Sequence, residues 1–192
     1  MKARENPFRT DRVLALRYRP RGGTLKELLD QLQRLGYRGA IVGPNGTGKT
    51  TLLEHIELEL RVLGFRTKLL HFYDKKRRFR RGEMKRFLAE LTRQDFILLD
   101  GAEQMSALHW QWFKVRSKKA GGLLITAHKE GMLPTLTECA TSPELLEEIL
   151  SELLSGEPAV SRSSSSELFQ KHRGNIRGAV REMYDVYAAK VR

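Results

Sequence analysis

Apolar residues recur at two spacings along this chain, and these spacings predict where helices and strands lie. They return every three or four residues from Leu25 to Leu35 and again from Leu52 to Leu63, and a glycine follows each run. This spacing places them on one face of a helix, and glycine is common just past a helix end. Thr24 and Glu27 have the form of a capping box before the first run. We therefore expect two amphipathic helices here.

Four short apolar runs have the length of buried strands. They cover residues 40–42, 67–73, 96–100 and 122–126. Helical patterns lie between them, including segments near 83–92 and 103–118. Strands that alternate with helices favour a parallel sheet covered on both faces. The predicted fold class is therefore α/β, a three-layer sandwich around a mainly parallel sheet.

The last quarter of the chain has a helical pattern only. Ser142 and Pro143 form a helix start with proline at the first helical position, and apolar residues follow at helical spacing. The serine-rich segment 155–166 is predicted to be a loop or flexible linker. Two further helical pieces follow from Glu167, with a break at Gly174-Asn175. We expect a basic N-terminal segment at 1–23, a core domain at 24–140 and a small helical lid at 141–192.

The segment GPNGTGKTT joins the first predicted strand to the second predicted helix, and it fits the P-loop pattern at every defined position. Glycines let backbone N–H groups turn toward phosphate oxygens, and the following helix presents its positive end. Lys49 is suited to bridge the outer phosphates of ATP, and the Thr50 hydroxyl is suited to bind Mg²⁺. The predicted nucleotide-binding residues are Gly43, Pro44, Asn45, Gly46, Thr47, Gly48, Lys49, Thr50 and Thr51. The core is therefore predicted to be a P-loop NTPase domain.

Polar residues end two of the other predicted strands. Asp100 closes an apolar run, which suits a second Mg²⁺-orienting carboxylate, although an Asp-Gly turn would also end a strand. Glu103 is the expected base for water attack, with a charge at a helix N-terminus as the alternative. Thr126, at the tip of the fourth strand, is a candidate to bond the attacking water or the γ-phosphate, and His128 lies two residues beyond.

The charge of the chain indicates an anionic partner. The formal net charge is +12, and such an excess raises the expectation of nucleic-acid binding. Its densest part follows the second predicted strand, where several cations could neutralise phosphates and Phe79 could stack on a base. The candidate nucleic-acid contacts are Lys75, Lys76, Arg77, Arg78, Phe79, Arg80 and Arg81. A membrane surface, a solvated loop and a protein-binding loop are the alternatives.

Several protein classes are disfavoured by composition. No apolar run approaches the roughly 18–20 residues that a membrane helix needs, and the N-terminal segment lacks the apolar centre of a secretory signal. A cytoplasmic location is therefore expected. The single Cys139 has no cysteine with which to form an internal disulfide and no neighbours at zinc-ligand spacing.

Taken together, these motifs resemble the P-loop ATPases that place an additional strand between the P-loop strand and the aspartate strand, and among them the AAA-type group. ILLDGAEQM is similar to the second ATPase motif of that group, LLITAH to its first sensor, and TSPELLEEILSELL to the first lid helix. HRGNIRGAVREMYDVY is similar to the second sensor, which implies that Arg177 contacts the γ-phosphate. The compact chain most resembles small, poorly characterised bacterial members.

The chain departs from this group at two places. Gly101 stands directly after the aspartate, where the group usually has its glutamate, and this change favours slow turnover. No arginine lies between Thr126 and Pro134, where the group usually supplies a finger to a neighbouring subunit. Arg116, with Lys118 and Lys119, is a candidate substitute, or these residues form a solvated helix end. The oligomeric state is left open.

Three functions remain as hypotheses at this stage. The first is a Mg²⁺-dependent ATPase that couples nucleotide state to lid motion and to binding of a nucleic acid or a nucleic-acid-associated partner. The second is an ATP-operated adaptor or switch with negligible hydrolysis, which Gly101 and the absent arginine favour. The third is a nucleotide or small-molecule kinase, for which no separate acceptor-binding segment is visible.

Overall fold

The computed structural model describes residues 6–16, 23–72, 82–154 and 162–189. Its strands are β1 (Arg38–Val42), β2 (Arg66–His71), β3 (Asp95–Asp100), β4 (Gly122–Ala127) and β5 (Thr135–Glu138). Its α-helices are α1 (Thr10–Ala15), α2 (Leu25–Arg34), α3 (Lys49–Val62), α4 (Glu83–Ala89), α5 (Ala107–Arg116), α6 (Pro143–Leu153), α7 (Arg162–Lys171) and α8 (Ile176–Ala189). Single 3-10 turns flank α5 at Ala102–Gln104 and Ser117–Lys119. No helix in these ranges is both long enough and apolar enough to cross a membrane.

The chain divides into two compact units. The sheet unit comprises Arg19–Gly43 and Lys49–Cys139, and the lid unit comprises Met1–Tyr18, Pro44–Gly48 and Ala140–Arg192.

The sheet unit contains one five-stranded sheet in the order β2-β3-β4-β1-β5. Every strand pair in it is parallel. The predicted α/β class and the mainly parallel sheet are confirmed, and β4 lies between the P-loop strand β1 and the aspartate strand β3 as expected. Strand β5 was not predicted, because only Leu136 of its four residues is buried and the segment shows no strand periodicity.

Helices cover the sheet because its strands are apolar on both faces. Strands β3 and β4 are buried along their whole length. Alternate strand residues, among them Ile97, Leu99 and Ile125, form one core cluster with Leu88 of α4 and Phe113 of α5. Helix α3 packs on the same sheet through fully buried residues that include Leu52 and Ile56. At the edge of the sandwich, the predicted capping box of α2 forms between Thr24 and Glu27.

The lid unit is built around a second apolar cluster. Leu146 and Leu150 of α6, Leu168 of α7 and Val180 of α8 belong to it. The predicted helix start at Ser142-Pro143 is present, and the Ser142 hydroxyl accepts a hydrogen bond from the Leu145 N–H group.

One predicted segment in the lid unit is found to hold a helix, and the extent of another is corrected in part. The predicted N-terminal segment contains α1 and Phe8, which is buried in the lid cluster with its ring 5.1 Å from that of Tyr187. The predicted linker at 155–166 overlaps α7, which begins at Arg162; residues 155–161 lie outside the described ranges. Serine favours helices only weakly, but Ser165 is fully buried and the helix packs through Leu168, so tertiary contacts override local preference.

Candidate nucleotide-binding site

Two predicted site residues, Asp100 and Thr126, lie together at the carboxyl ends of neighbouring strands. Parallel strands end on the same side, so the carboxyl ends of β3 and β4 bring Asp100 and Thr126 together. Both side chains are buried. The Thr126 hydroxyl donates a hydrogen bond to Asp100 Oδ1 over 2.5 Å and accepts one from the Gly101 N–H group over 2.8 Å. Because a carboxylate only accepts hydrogen bonds, the single Thr126 proton holds Asp100 in one orientation.

The other Asp100 oxygen has a different environment. Oδ2 is buried and accepts no hydrogen bond within the described parts of the chain. His71 Nδ1 lies 3.6 Å from Oδ2, which is beyond hydrogen-bonding distance. A buried oxygen of this kind is costly unless a partner satisfies it. The geometry therefore suits a cation, or water bound to one, at Oδ2.

Glu103 and His128 form a pair that was not predicted as a pair. Glu103 lies in the 3-10 turn after β3, and its Oε1 is 3.2 Å from His128 Nε2, beyond the end of β4. Glu103 Oε2 is buried and, in the ranges that the structure covers, accepts no hydrogen bond. The carboxylate is thus held on one side by an imidazole and has an unsatisfied oxygen on the other.

Lys49 is the first residue of α3, and its ammonium group is buried. Nζ donates a hydrogen bond over 2.7 Å to the Gly43 carbonyl, directly after β1. A lysine held at a helix N-terminus adds its charge to the positive end of the helix dipole. Thr50 and Thr51 follow in the first turn, both half-buried. These residues belong to the sheet unit.

Residues Pro44–Gly48 belong to the lid unit, where Gly46 meets the turn before α8. Gly46 has a φ angle of 77°, and a Cβ atom there would lie 2.0 Å from Asn175 Oδ1. The same Asn175 oxygen accepts a hydrogen bond of 2.9 Å from the Gly178 N–H group, which caps α8. Thr47 is buried, and its hydroxyl donates to the Pro44 carbonyl over 3.0 Å. The tip of the glycine-rich segment therefore packs against the helix cap.

Comparison with known proteins finds similarity to solved structures. No family model and no curated protein matches the sequence. Two variants of RuvB from Thermotoga maritima have similar folds. The first has a TM-score of 0.60 at 18% identity and covers 89% of this chain and 64% of its own. The second has a TM-score of 0.57 at 18% identity and covers 83% and 58%.

The fold of this chain is similar to that of the two RuvB structures. At 18% identity the likeness establishes the fold and not the activity. This chain spans less than two thirds of the length of either RuvB chain. The predicted α/β P-loop fold class is confirmed, and membership of the AAA-type group stays a prediction.

The backbone directly after Asp100 favours glycine. Gly101 has a φ angle of 82°, and a Cβ atom there would lie 3.3 Å from the Phe72 carbonyl oxygen. A residue with a side chain would be strained in this left-handed conformation and crowded against the end of β2. The first carboxylate after Asp100 is consequently Glu103, in the following turn.

Of two further predicted contacts, the structure describes Arg177 and does not describe the basic loop. Arg177 is exposed near the start of α8, in the lid unit. The basic loop at 75–81 lies outside the described residues. The proposed roles of both stay predictions.

Sequence reasoning missed His71 and Asn175. His71 lies opposite Asp100 in the register of β2 and β3. The sequence signal for His71 is its place as a polar residue at the end of the apolar run of β2. The sequence marks Asn175 only as part of a helix break and of the segment that is similar to the second sensor. Its position against Gly46 depends on long-range packing that no local pattern reports.

Proposed function

We propose that this chain is a Mg²⁺-dependent ATPase. The observation that carries the proposal is the buried Asp100 carboxylate, which Thr126 holds by one oxygen while the other has no hydrogen-bond donor within the described ranges. A buried carboxylate with one unsatisfied oxygen costs free energy, and a bound cation would offset that cost. In a P-loop fold, a carboxylate at this strand end suits Mg²⁺ ligation.

The residues of the chain fit Mg²⁺ and ATP. Carboxylate and hydroxyl oxygens are the ligands that Mg²⁺ prefers, and Asp100 and Thr50 supply them. Bound Mg²⁺ would neutralise charge on the phosphates. Lys49, already at the N-terminal end of α3, would add a positive charge at the outer phosphates. Arg177 would contact the γ-phosphate, which is how nucleotide state would reach α8 of the lid.

Glu103 is the proposed base, and Thr126 the proposed positioning residue. Glu103 Oε2 has no hydrogen-bond donor in the described ranges, so this oxygen could accept a proton from water. The Thr126 hydroxyl proton is engaged by Asp100, which supports a role in orienting that carboxylate. Thr126 could still accept a hydrogen bond from water. His128 would orient Glu103 from the opposite side.

A second candidate function is an ATP-operated switch with negligible hydrolysis. The observation that favours it is the 3.2 Å contact between Glu103 Oε1 and His128 Nε2. If the imidazole restrains the carboxylate, ATP would be held and not cleaved. The kinase hypothesis gains no support from this site, because no acceptor-binding residues are identified in it.

The proposed anionic partner is a nucleic acid, or a protein bound to one, and the support is charge. The chain has 35 lysines and arginines against 23 aspartates and glutamates, a difference of +12. Six of these cations lie in the basic loop at 75–81. Such a segment would bind phosphates with a strong dependence on salt.

The test is phosphate release from Mg²⁺-ATP at several protein concentrations, with and without DNA and RNA. The ATPase proposal expects Glu103→Gln to bind ATP and lose hydrolysis, and wild-type turnover in that variant would contradict the assignment of the base. His128→Ala separates the two candidates: a raised rate supports the restraint on which the switch depends, and a lowered rate supports positioning. Stimulation by nucleic acid should disappear when residues 75–81 are neutralised.

A further inference from the structure

Helix α5 has an exposed apolar stripe in addition to the apolar face that it buries. Trp110 and Phe113 face the core, with their rings stacked at a centroid distance of 6.2 Å. Leu108, Trp112 and Val115 form the α5 stripe, and their exposed fractions are 85%, 36% and 60%. Spacings of four and three residues place them along one face of the helix. The helix is therefore apolar on two sides, although only one of them packs on the sheet.

A stripe of this kind calls for a functional explanation. Single exposed apolar side chains are common on protein surfaces, whereas contiguous apolar patches mark interaction sites. Leu63, directly after α3, is also exposed, as are Leu58 and Val62, a pair on the helix itself. That pair provides a comparison surface within the same sheet unit.

The charges beside the α5 stripe have one sign. From Ala107 to Lys119 the chain contains Lys114, Arg116, Lys118 and Lys119 and no aspartate or glutamate. The last three cations are exposed. Cations near the C-terminal end of a helix also complement its dipole, but a run this uniform creates a positive field at one end of the stripe. The complementary surface is acidic as well as apolar.

We propose that the α5 stripe docks an acidic amphipathic helix of a protein partner. A helix with apolar residues at i, i+4 and i+7 can pack along Leu108, Trp112 and Val115, and glutamates beside that face would meet the cations. A protein is favoured over a nucleic acid because Leu108 and Val115, the two most exposed members, have no ring for base stacking and no polar group for hydrogen bonding. None of the three stripe residues belongs to the proposed nucleotide-binding set.

The probe is a synthetic helical peptide with leucines at i, i+4 and i+7 and glutamates at the flanking positions. A matched peptide carries lysines in place of the glutamates. Binding to the full chain is measured by calorimetry and by the change in Trp112 fluorescence, with Trp112→Phe as the optical blank. We expect the acidic peptide to bind at least about tenfold more tightly than the lysine peptide.

Two double variants locate the binding surface. Leu108→Ser with Val115→Ser should weaken binding of the acidic peptide by about tenfold or more, and Leu58→Ser with Val62→Ser should leave it unchanged. Equal affinity in both variants would overturn the proposal. It would also be overturned if the stripe variant lost only DNA or RNA binding, or if it only converted a self-associating chain to a monomer.

A charge exchange keeps the test decisive if the serine variant fails to fold. Arg116→Glu with Lys119→Glu alters exposed side chains and should preserve the fold, which circular dichroism checks. Two cations and two new carboxylates then give the run a net charge of zero, so the preference for the acidic peptide should be lost. If its preference still matches that of the wild-type chain, charge complementarity at α5 is excluded.

Discussion

Replacing Gly46 with alanine tests whether the glycine-rich segment is packed against the cap of α8. Gly46 has a φ angle of 77°, and the new Cβ atom would lie 2.0 Å from Asn175 Oδ1 and 3.3 Å from the Asn175 Cα atom. The side chain of Asn175 must then move, and its capping bond to the Gly178 N–H group is lost. The residues involved all belong to the lid unit.

Two costs combine in this variant. A left-handed conformation costs an alanine about 1–2 kcal/mol. Loss of the cap costs about 0.5–2 kcal/mol. The expected loss of stability is therefore about 1.5–4 kcal/mol, and in a chain of this size each 1 kcal/mol lowers the melting temperature by about 2–4 °C.

Gly64→Ala is the matched control for the conformational cost alone. Gly64 has a φ angle of 89°, and nothing lies within 4 Å of the position of its Cβ atom. Thermal unfolding should therefore show a larger loss for Gly46→Ala than for Gly64→Ala.

A double-mutant cycle tests the contact within the lid unit itself. Asn175→Gly removes the obstructing side chain, and glycine is only a few tenths of a kcal/mol worse than asparagine as an N-cap. Gly46→Ala should be less destabilising in that background, with a coupling of about 1 kcal/mol. Strict additivity, or equal losses for the two alanine variants, would refute the packing argument.

Three further predictions concern the sheet unit. Thr126→Val removes the hydrogen bond to Asp100 and should cost about 1–3 kcal/mol in urea unfolding, whereas Thr126→Ser should be nearly neutral; equal losses would deny the hydroxyl a role. Burial raises the pKa of Asp95, but hydrogen bonds from Thr92 and two nearby cations outweigh burial and lower it overall. The resulting stability is present above the unfolded pKa of about 3.9 and is lost as the pH falls through the folded value. The free energies of unfolding of wild type and Asp95→Asn should therefore converge as the pH falls through that value. A difference that stays constant with pH would contradict this. Lys49→Met should weaken Mg²⁺-ATP binding by about 10- to 100-fold in calorimetry, and unchanged affinity would remove Lys49 from the site.

The sequence predicted most of the sheet because its strands report their burial locally. Strands β3 and β4 are buried along their length and have apolar runs at their centres, and such runs favour buried parallel strands. Strand β5 was missed because one buried residue in four carries no period. The serines at the start of α7 favour a loop, so the sequence predicts a linker there. Packing in the lid unit makes this segment helical.

Local chemistry in the sequence determined which residues are candidates for nucleotide and Mg²⁺ binding. Lys49, Thr50 and Asp100 were identified because a phosphate loop and a strand-ending acid are read from consecutive residues. Only the tertiary structure placed Thr126 on Asp100, His128 on Glu103 and Asn175 against Gly46. These contacts join residues distant in sequence, and their geometry depends on strand order and packing, which no local window of sequence contains.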